Sequence, residues 1–350
     1  MFASLLAAFA LSAAIPERPV GEQHRVTQQP SAAARDAEHR TRLRITVWYP
    51  ARTGSAMTSI DVGPPKKPTF LLGAVAMDGA FADNARRPVI MVSHGFGGSA
   101  RSMAWFGKAM AEHGYVVIAV DHPGNNGLDR MTLPGAVLWW ERAEDLKLAL
   151  AAVRADPRIG PHIDPARLGV AGFSLGGLTA LVAGGARVSP ENVAIFCREH
   201  PSDGICRPQL EYAVSTDQAA DVFQNPAYRR QTANARADHS LPGIRAVFAI
   251  APVVQALDAT SLTAMRIPVS ILVGEKDVTV PAETQARIAE RLIPGARLEV
   301  MPGVTHYSFL PVCSAPARSE VRICRDADRQ EEAHEHAIAA ALALFDRVLR

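Results

Sequence analysis

Gly172-Phe173-Ser174-Leu175-Gly176 follows the apolar stretch Leu168-Gly169-Val170-Ala171 and runs into Gly177-Leu178-Thr179-Ala180-Leu181. No other segment restricts the possible folds as much. It spells strand, then G-x-S-x-G, then helix. A nucleophilic serine has to stand on a sharp strand-to-helix turn, in strained backbone, with its hydroxyl aimed into a cleft. Glycines two residues to either side let strand and helix close up without Cβ clashes. In an ordinary turn the same pentapeptide would carry no chemistry. Its place between an apolar run and a small-residue helix marks Ser174 as the candidate nucleophile.

The rest of the chain alternates in the same way. Short apolar runs at 43–50, 88–93, 115–120, 246–250, 269–273 and 297–300 read as strands, and helical spacing covers 102–113, 139–155, 283–292 and 331–349. Alternating strands and helices predict an α/β chain with a mostly parallel central sheet and helices on both faces. Ligands in such sheets bind at the carboxyl ends of the strands. The main domain is expected over 41–350. A polar, weakly helical segment at about 189–242 breaks the alternation and reads as a small cap insertion. Residues 61–68 read as a surface loop, and residues 16–40, rich in Gln, Pro, Ala and Arg, as a linker or disordered arm. Residues 1–15 are apolar and small, with Ser12 and Ala14 placed for cleavage. They read as a signal peptide, with a short membrane-bound or buried helix as the alternative because no Lys or Arg precedes the apolar run. The run is too short to span a membrane.

Hydrophobic content of 48% against 21% charged residues suits a substantial core, and a net charge of +2 with scattered arginines gives no field for nucleic acid. Cys197, Cys206, Cys313 and Cys324 form two sequence-local pairs, as expected of disulfides in an oxidising compartment, periplasmic or secreted. Three connectivities are possible, with 197–206 and 313–324 favoured. The spacings do not match a zinc site, and neither metal nor cofactor is expected.

A serine hydroxyl needs a base within hydrogen-bond reach and a group that orients the base. The chain order nucleophile, acid, histidine points to His306, in the loop after the last strand, as the base. It points to Asp277, in Gly274-Glu275-Lys276-Asp277, as the acid. Asp258, after the preceding strand, competes for the acid role, and either carboxylate could instead simply cap a loop. Two amides should hold the oxyanion: Leu175, after the nucleophile, and Phe96, in Ser93-His94-Gly95-Phe96-Gly97-Gly98. Gly95 and Gly97 are expected to lie against substrate. Trp139 and Trp140 are candidates for an apolar pocket, although core packing explains them equally well. His94 reads as structural, Asp121 and His122 as ties between loops, and His334 and His336 as surface residues.

Four segments together resemble a known family: Val47-Trp48-Tyr49-Pro50, Ser93 to Gly98, Asp121-His122-Pro123-Gly124-Asn125-Asn126 and Gly172 to Gly177. From about Leu43 to the C-terminus the chain resembles the α/β-hydrolase superfamily. Within it the chain resembles bacterial "predicted dienelactone hydrolase" proteins, a group similar to platelet-activating-factor acetylhydrolases and more distantly to polyester hydrolases. The resemblance implies the α/β-hydrolase fold and metal-free ester hydrolysis through an acyl-enzyme. Dienelactone hydrolases themselves use a cysteine nucleophile, so with Ser174 here the group's name does not define the substrate. The acetylhydrolases place their acid earlier in the chain, which keeps Asp258 open. The expectation is therefore a serine esterase for short-chain or lipid-like esters. The alternatives are a peptidase, thioesterase or acyltransferase on the same residues, or a non-catalytic binding protein.

Overall fold

The structure is a computed structural model and describes residues 18–350. The apolar run at 1–15 lies outside the described residues. The strands are β1 (Val20–Gln28), β2 (Arg42–Pro50), β3 (Thr58–Ser59), β4 (Phe70–Leu71), β5 (Ala74–Met77), β6 (Arg87–Ser93), β7 (Val116–Asp121), β8 (Ile163–Phe173), β9 (Ile244–Ile250), β10 (Val269–Gly274), β11 (Arg297–Met301) and β12 (Val312–Cys313). The first helices are α1 (Ala104–Glu112), α2 (Leu133–Val137), α3 (Glu141–Ala155), α4 (Leu175–Ala183), α5 (Pro190–Glu199), α6 (Thr216–Gln224) and α7 (Arg229–Ala233). They are followed by α8 (Ala259–Ala264), α9 (Ala286–Leu292), α10 (Ala315–Glu320), α11 (Arg322–Arg325) and α12 (Gln330–Leu349).

Ten strands form one sheet in the order β11-β10-β9-β8-β6-β7-β2-β1-β5-β3. From β7 to β11 every neighbour is parallel, while β2 is antiparallel to both β7 and β1. Helices α1 and α12 pack together on one face, and α3 and α4 on the other. The central strands are buried along their whole length, which is why they read as continuous apolar runs. Helix α12 buries Ala333, Ala337, Ala341, Leu344 and Phe345, the three- and four-residue spacing of a one-sided helix. Helix α3 carries Glu141 and Glu144 in its first turn, where the helix dipole favours them, and stops at Asp156 before Pro157.

After β6 the chain passes to β7 on one side and then returns to β8 on the other. This reversal opens a crevice beyond the carboxyl ends of β6 and β8, where parallel sheets bind ligands. Ser93 pairs with Gly172 across the two strands, so the Ser93–Gly98 loop and the Ser174 turn leave the sheet side by side.

Residues 18–40 are not a linker, contrary to the sequence expectation. β1 pairs with β2 through nine registered positions, and Arg35 is fully buried. The strand was concealed by its polar side chains. Glu22 is buried but accepts from Trp48 Nε1 at 2.8 Å and from Arg101 Nη2 at 2.6 Å, and Gln23 Nε2 donates to the Tyr49 hydroxyl at 2.9 Å. Trp48, Tyr49 and Arg101 come from distant parts of the chain, so no local apolar pattern announces the strand. His334 is a second correction. It is buried on α12, stacks on Trp105 at 3.9 Å and donates from Nε2 to the Leu310 carbonyl at 2.8 Å, while His336 is exposed beside Glu299. Two disulfides join Cys197 to Cys206 and Cys313 to Cys324. Among the described residues no helix is long and apolar enough to cross a membrane.

Candidate active site

Ser174 stands between β8 and α4 with φ +57° and ψ −118°, a conformation that L-residues avoid and that needs its surroundings to hold it. Its amide donates to the Ile250 carbonyl at 2.8 Å. A Cβ on Gly172 would collide with the Gly176 carbonyl, and one on Gly176 with the Ser93 and His94 carbonyls. The two glycines of the motif therefore allow the turn to close and to press against the loop after β6.

Three side chains from distant loops meet at this turn. His306 Nε2 lies 3.0 Å from Ser174 Oγ, and His306 Nδ1 lies 2.7 Å from Asp277 Oδ2. All three residues are buried. Asp277 Oδ1 accepts from the amides of Thr279 (3.0 Å) and Val280 (2.7 Å), which fixes the carboxylate's rotation. His306 opens a short helical turn capped reciprocally by Thr305 and Ser308, and the Phe173 ring packs 4.8 Å from the imidazole. With a proton on Nδ1 shared with Asp277, Nε2 is left to accept from the Ser174 hydroxyl. Asp258, the rival acid, instead caps α8, accepting from the Ser261 amide at 2.7 Å. Glu275 accepts from the Gly303 amide at 2.9 Å.

Leu175 directly follows Ser174 in the chain, and Phe96 lines the same cavity. Among the described residues neither amide donates to a protein acceptor. Leu175 is the first residue of α4, so its N–H has no intrahelical partner and lies at the positive end of the helix. The loop holding Phe96 is pinned on both sides. The Gly97 amide donates to Asn125 Oδ1 at 3.1 Å. The buried Arg142 donates to Asn125 Oδ1 at 3.2 Å and also to the His94 carbonyl. Gly97 has φ +63°, the left-handed region that glycine tolerates best. Gly95 and Gly97, expected to lie against substrate, do not line the cavity beside Ser174, where Phe96 does. They shape the loop rather than the pocket, because without side chains they present little surface.

Sequence reasoning missed the buried polar cluster beneath this loop. Asp145 accepts from Arg35 Nη1 (2.9 Å) and Nη2 (2.7 Å), Gln29 Nε2 (2.8 Å) and His122 Nδ1 (2.9 Å). His122 Nε2 reaches Ser93 Oγ at 2.9 Å, and the His122 amide donates to His94 Nε2 at 3.2 Å. His94 is thus structural, and His122 does tie loops together. Asp121 accepts from the Ala100 amide (2.8 Å) and Arg44. The buried carboxylate of a mid-helix Asp, facing inward on α3, was the available signal.

The cluster makes stability depend on pH. Burial, helped by the nearby Arg142 charge, pushes His122 down to about 3 and His94 well below its ordinary value; burial alone pushes His334 to about 4. All three fold in the neutral form. Above about pH 6.5 both folded and unfolded chains are neutral at these sites, and the stability is fully present. As the pH falls below 6.5 only the unfolded chain takes up the protons. Each histidine then costs up to about 1.4 kcal/mol per pH unit, until its folded value is reached. His239 has the opposite sign: burial works against its charge, but the Glu144 hydrogen bond prevails and raises it. His162 is lowered by burial as well, so four depressed histidines against one raised should lower the urea midpoint steadily from pH 7 to 4.5. A midpoint that stays flat over that range would mean the histidines are not buried neutral.

A cavity of about 760 Å³ opens beside Ser174. Trp139, Val193, Phe223 and Val253 give it apolar walls, and Trp140, fully buried, also borders it. Much of the lining comes from α5 and α6 of the segment between α4 and β9, the expected cap insertion.

The chain is similar to several known proteins. Residues 82–236 match a family model described as PETase, PET hydrolase-like. Over 97 residues the chain is 34% identical to Cutinase 1 of Thermobifida cellulosilytica, covering 27% of this chain and 33% of that protein. Over the same length it is 36% identical to Cutinase est1 of Thermobifida alba, covering 27% and 29%. The matched stretch thus spans about a third of the length of these curated relatives. A ferulic acid esterase structure from Streptomyces cinnamoneus superposes with a TM-score of 0.61 at 20% identity, over 97% of this chain and 92% of that one. The chain has the α/β-hydrolase fold.

Proposed function

We propose that this α/β-hydrolase chain cleaves carboxylic esters through an acyl-enzyme on Ser174. The observation that carries the reading is the continuous relay from Asp277 through His306 to Ser174, at 2.7 and 3.0 Å, on a strained turn facing a cavity. Ser174 Oγ attacks the ester carbonyl carbon as His306 Nε2 takes its proton. Asp277 holds the imidazole in place and balances its charge. The amides of Phe96 and Leu175 donate to the oxyanion. His306 then protonates the departing alcohol and next draws a proton from water, whose oxygen attacks the acyl-enzyme carbonyl and frees Ser174.

The apolar cavity is within the size range of small-molecule sites and suits a short-chain or lipid-like acyl group. The names of the similar proteins, cutinase, PET hydrolase-like and ferulic acid esterase, fit ester cleavage. Kinship with the dienelactone hydrolase group and the acetylhydrolases rests on the four segments quoted above. Both disulfides close loops in a chain suited to an oxidising compartment, periplasmic or extracellular. A peptidase, thioesterase or acyltransferase would use the same residues, and a substrate panel separates these from an esterase.

Labelling with a fluorophosphonate tests the relay. The wild-type protein should be modified at Ser174. Asp277→Asn should slow the reaction by about 10³- to 10⁴-fold, because the imidazole loses its orienting charge. Asp258→Asn, at a helix cap, should label at the wild-type rate. A wild-type chain that resists the probe is not a serine hydrolase. Equal rates for Asp277→Asn and wild type would remove Asp277 from the relay.

A further inference from the structure

A second concavity, of about 400 Å³, opens on His306 and is lined in part by Gln209. It shares Arg207, Gln209 and Thr279 with the apolar cavity, so the two adjoin along these residues, with Ser174 bordering the apolar cavity and His306 the second concavity. Their chemistry differs. The second groove is bordered by Arg207, Lys276, Arg322 and Arg325, against the carboxylates of Asp326 and Asp328. Among the described residues the side chains of Arg207, Lys276 and Arg322 have no hydrogen-bond or ion-pair partner. Arg325 Nε donates only to the Ser319 carbonyl, at 3.1 Å. The Glu211 side chain packs over Gly97 and its carboxyl hydrogen-bonds with Tyr307, so this acid stands beside the groove although it is not among the lining residues.

The cations are held by built features. Arg207 directly follows Cys206 of one disulfide, and Arg322 and Arg325 flank Cys324 of the other. The segment before Arg207 is docked on the loop of Asp277. A Cβ on Gly204 would strike the Val278 and Thr279 carbonyls, and Thr284 Oγ1 donates to Asp203 Oδ2 at 2.7 Å. The opposite wall is tied to the His306 loop by Thr305 Oγ1 donating to the Asp326 carbonyl. Two segments more than a hundred residues apart are thus each stapled by a disulfide so as to face each other across the groove.

We infer that this groove is the leaving-group subsite and selects esters whose alcohol portion carries a carboxylate. The inference rests on the ester-hydrolase reading. His306 protonates the departing oxygen, so the alcohol has to leave on the side that His306 borders, while the acyl group occupies the apolar cavity. A carboxylate on the alcohol would replace water around unpaired guanidinium and ammonium groups with charge-assisted hydrogen bonds, and Arg presents a fork suited to it. The groups are exposed at the rim, so the preference should weaken with salt.

The test compares 4-acetoxybenzoate with its neutral analogue 4-acetoxybenzamide. The wild-type protein should favour the anion in kcat/KM. The Arg207→Gln/Arg322→Gln double variant should cut the anion-to-neutral ratio about five- to tenfold, mainly through KM, and 0.5 M NaCl should erode the wild-type ratio. Arg245→Gln, on β9 far from the groove, controls for loss of a positive charge and should leave the ratio as it was. Phenyl hemisuccinate, which carries its charge on the acyl side, should not respond to the double variant. A binding measurement separates this inference from the chemistry. Calorimetry on Ser174→Ala should detect 4-hydroxybenzoate binding more tightly than 4-hydroxybenzamide, and the added arginine changes should abolish the difference. Binding selectivity without turnover would keep the subsite and sink the ester reading. Turnover with an unchanged ratio in the double variant, or equal binding of the two phenols, overturns the subsite.

Discussion

Ser174→Ala is expected to yield a folded protein whose kcat on short-chain p-nitrophenyl esters is lower by about 10⁴- to 10⁶-fold. The size follows from losing the nucleophile outright, since only the oxyanion amides and the cavity remain to assist water. The fold should survive because among the described residues the hydroxyl's hydrogen-bond partner is His306 alone, and alanine keeps the Cβ that the turn already accommodates at φ +57°. Melting temperature should stay within about 2 °C of wild type, as for a substitution that opens no cavity and strands no buried charge. Turnover that persists in this variant removes Ser174 from the chemistry. A collapsed melting temperature would instead make the serine structural.

Asp145→Ala should cost about 3–5 kcal/mol of folding stability. Burial alone would push this carboxyl up, but Arg35 and His122 hold it well below the ordinary range, so it is folded as an anion. Removing it leaves the Arg35 guanidinium, itself fully buried, without its counter-charge, while Arg142 lies in the same interior. Gln29 and His122 lose an acceptor at the same time. The loss should appear as a lower urea midpoint. It should be partly recovered in Arg35→Leu/Asp145→Leu, where both charges leave together, and a double-mutant cycle would measure the coupling. A loss below about 1 kcal/mol would show that the N-terminal arm is not docked on α3. Because His122 leads to Ser93 and onward to the Phe96 loop, surviving Asp145→Ala protein should also lose activity.

The three side chains that meet at the Ser174 turn could be picked out in the sequence because each sits at the end of an element with a local signature. Ser174 follows an apolar strand and precedes a small-residue helix. Asp277 and His306 follow β10 and β11 in the loops beyond their carboxyl ends, and the two disulfides join the sequence-local pairs. The choice between Asp277 and Asp258 was not local. Both follow strands and both accept backbone N–H groups, and what separates them is only that Asp277 lies 2.7 Å from His306 while Asp258 caps α8.

What the chain carried locally, then, was the order of strands and helices, the class of the fold and the three residues of the relay, because strand burial, helix periodicity and the strained serine turn each depend on a few consecutive residues. Only the tertiary structure decided that residues 18–40 belong to the sheet, that His334 is buried, that Arg142 holds the Phe96 loop, and that two stapled segments line a cationic groove. Each of these depends on a buried polar or charged group meeting a partner tens to hundreds of residues away. Such pairing follows from how the sheet is wound, and no window of neighbouring residues contains it.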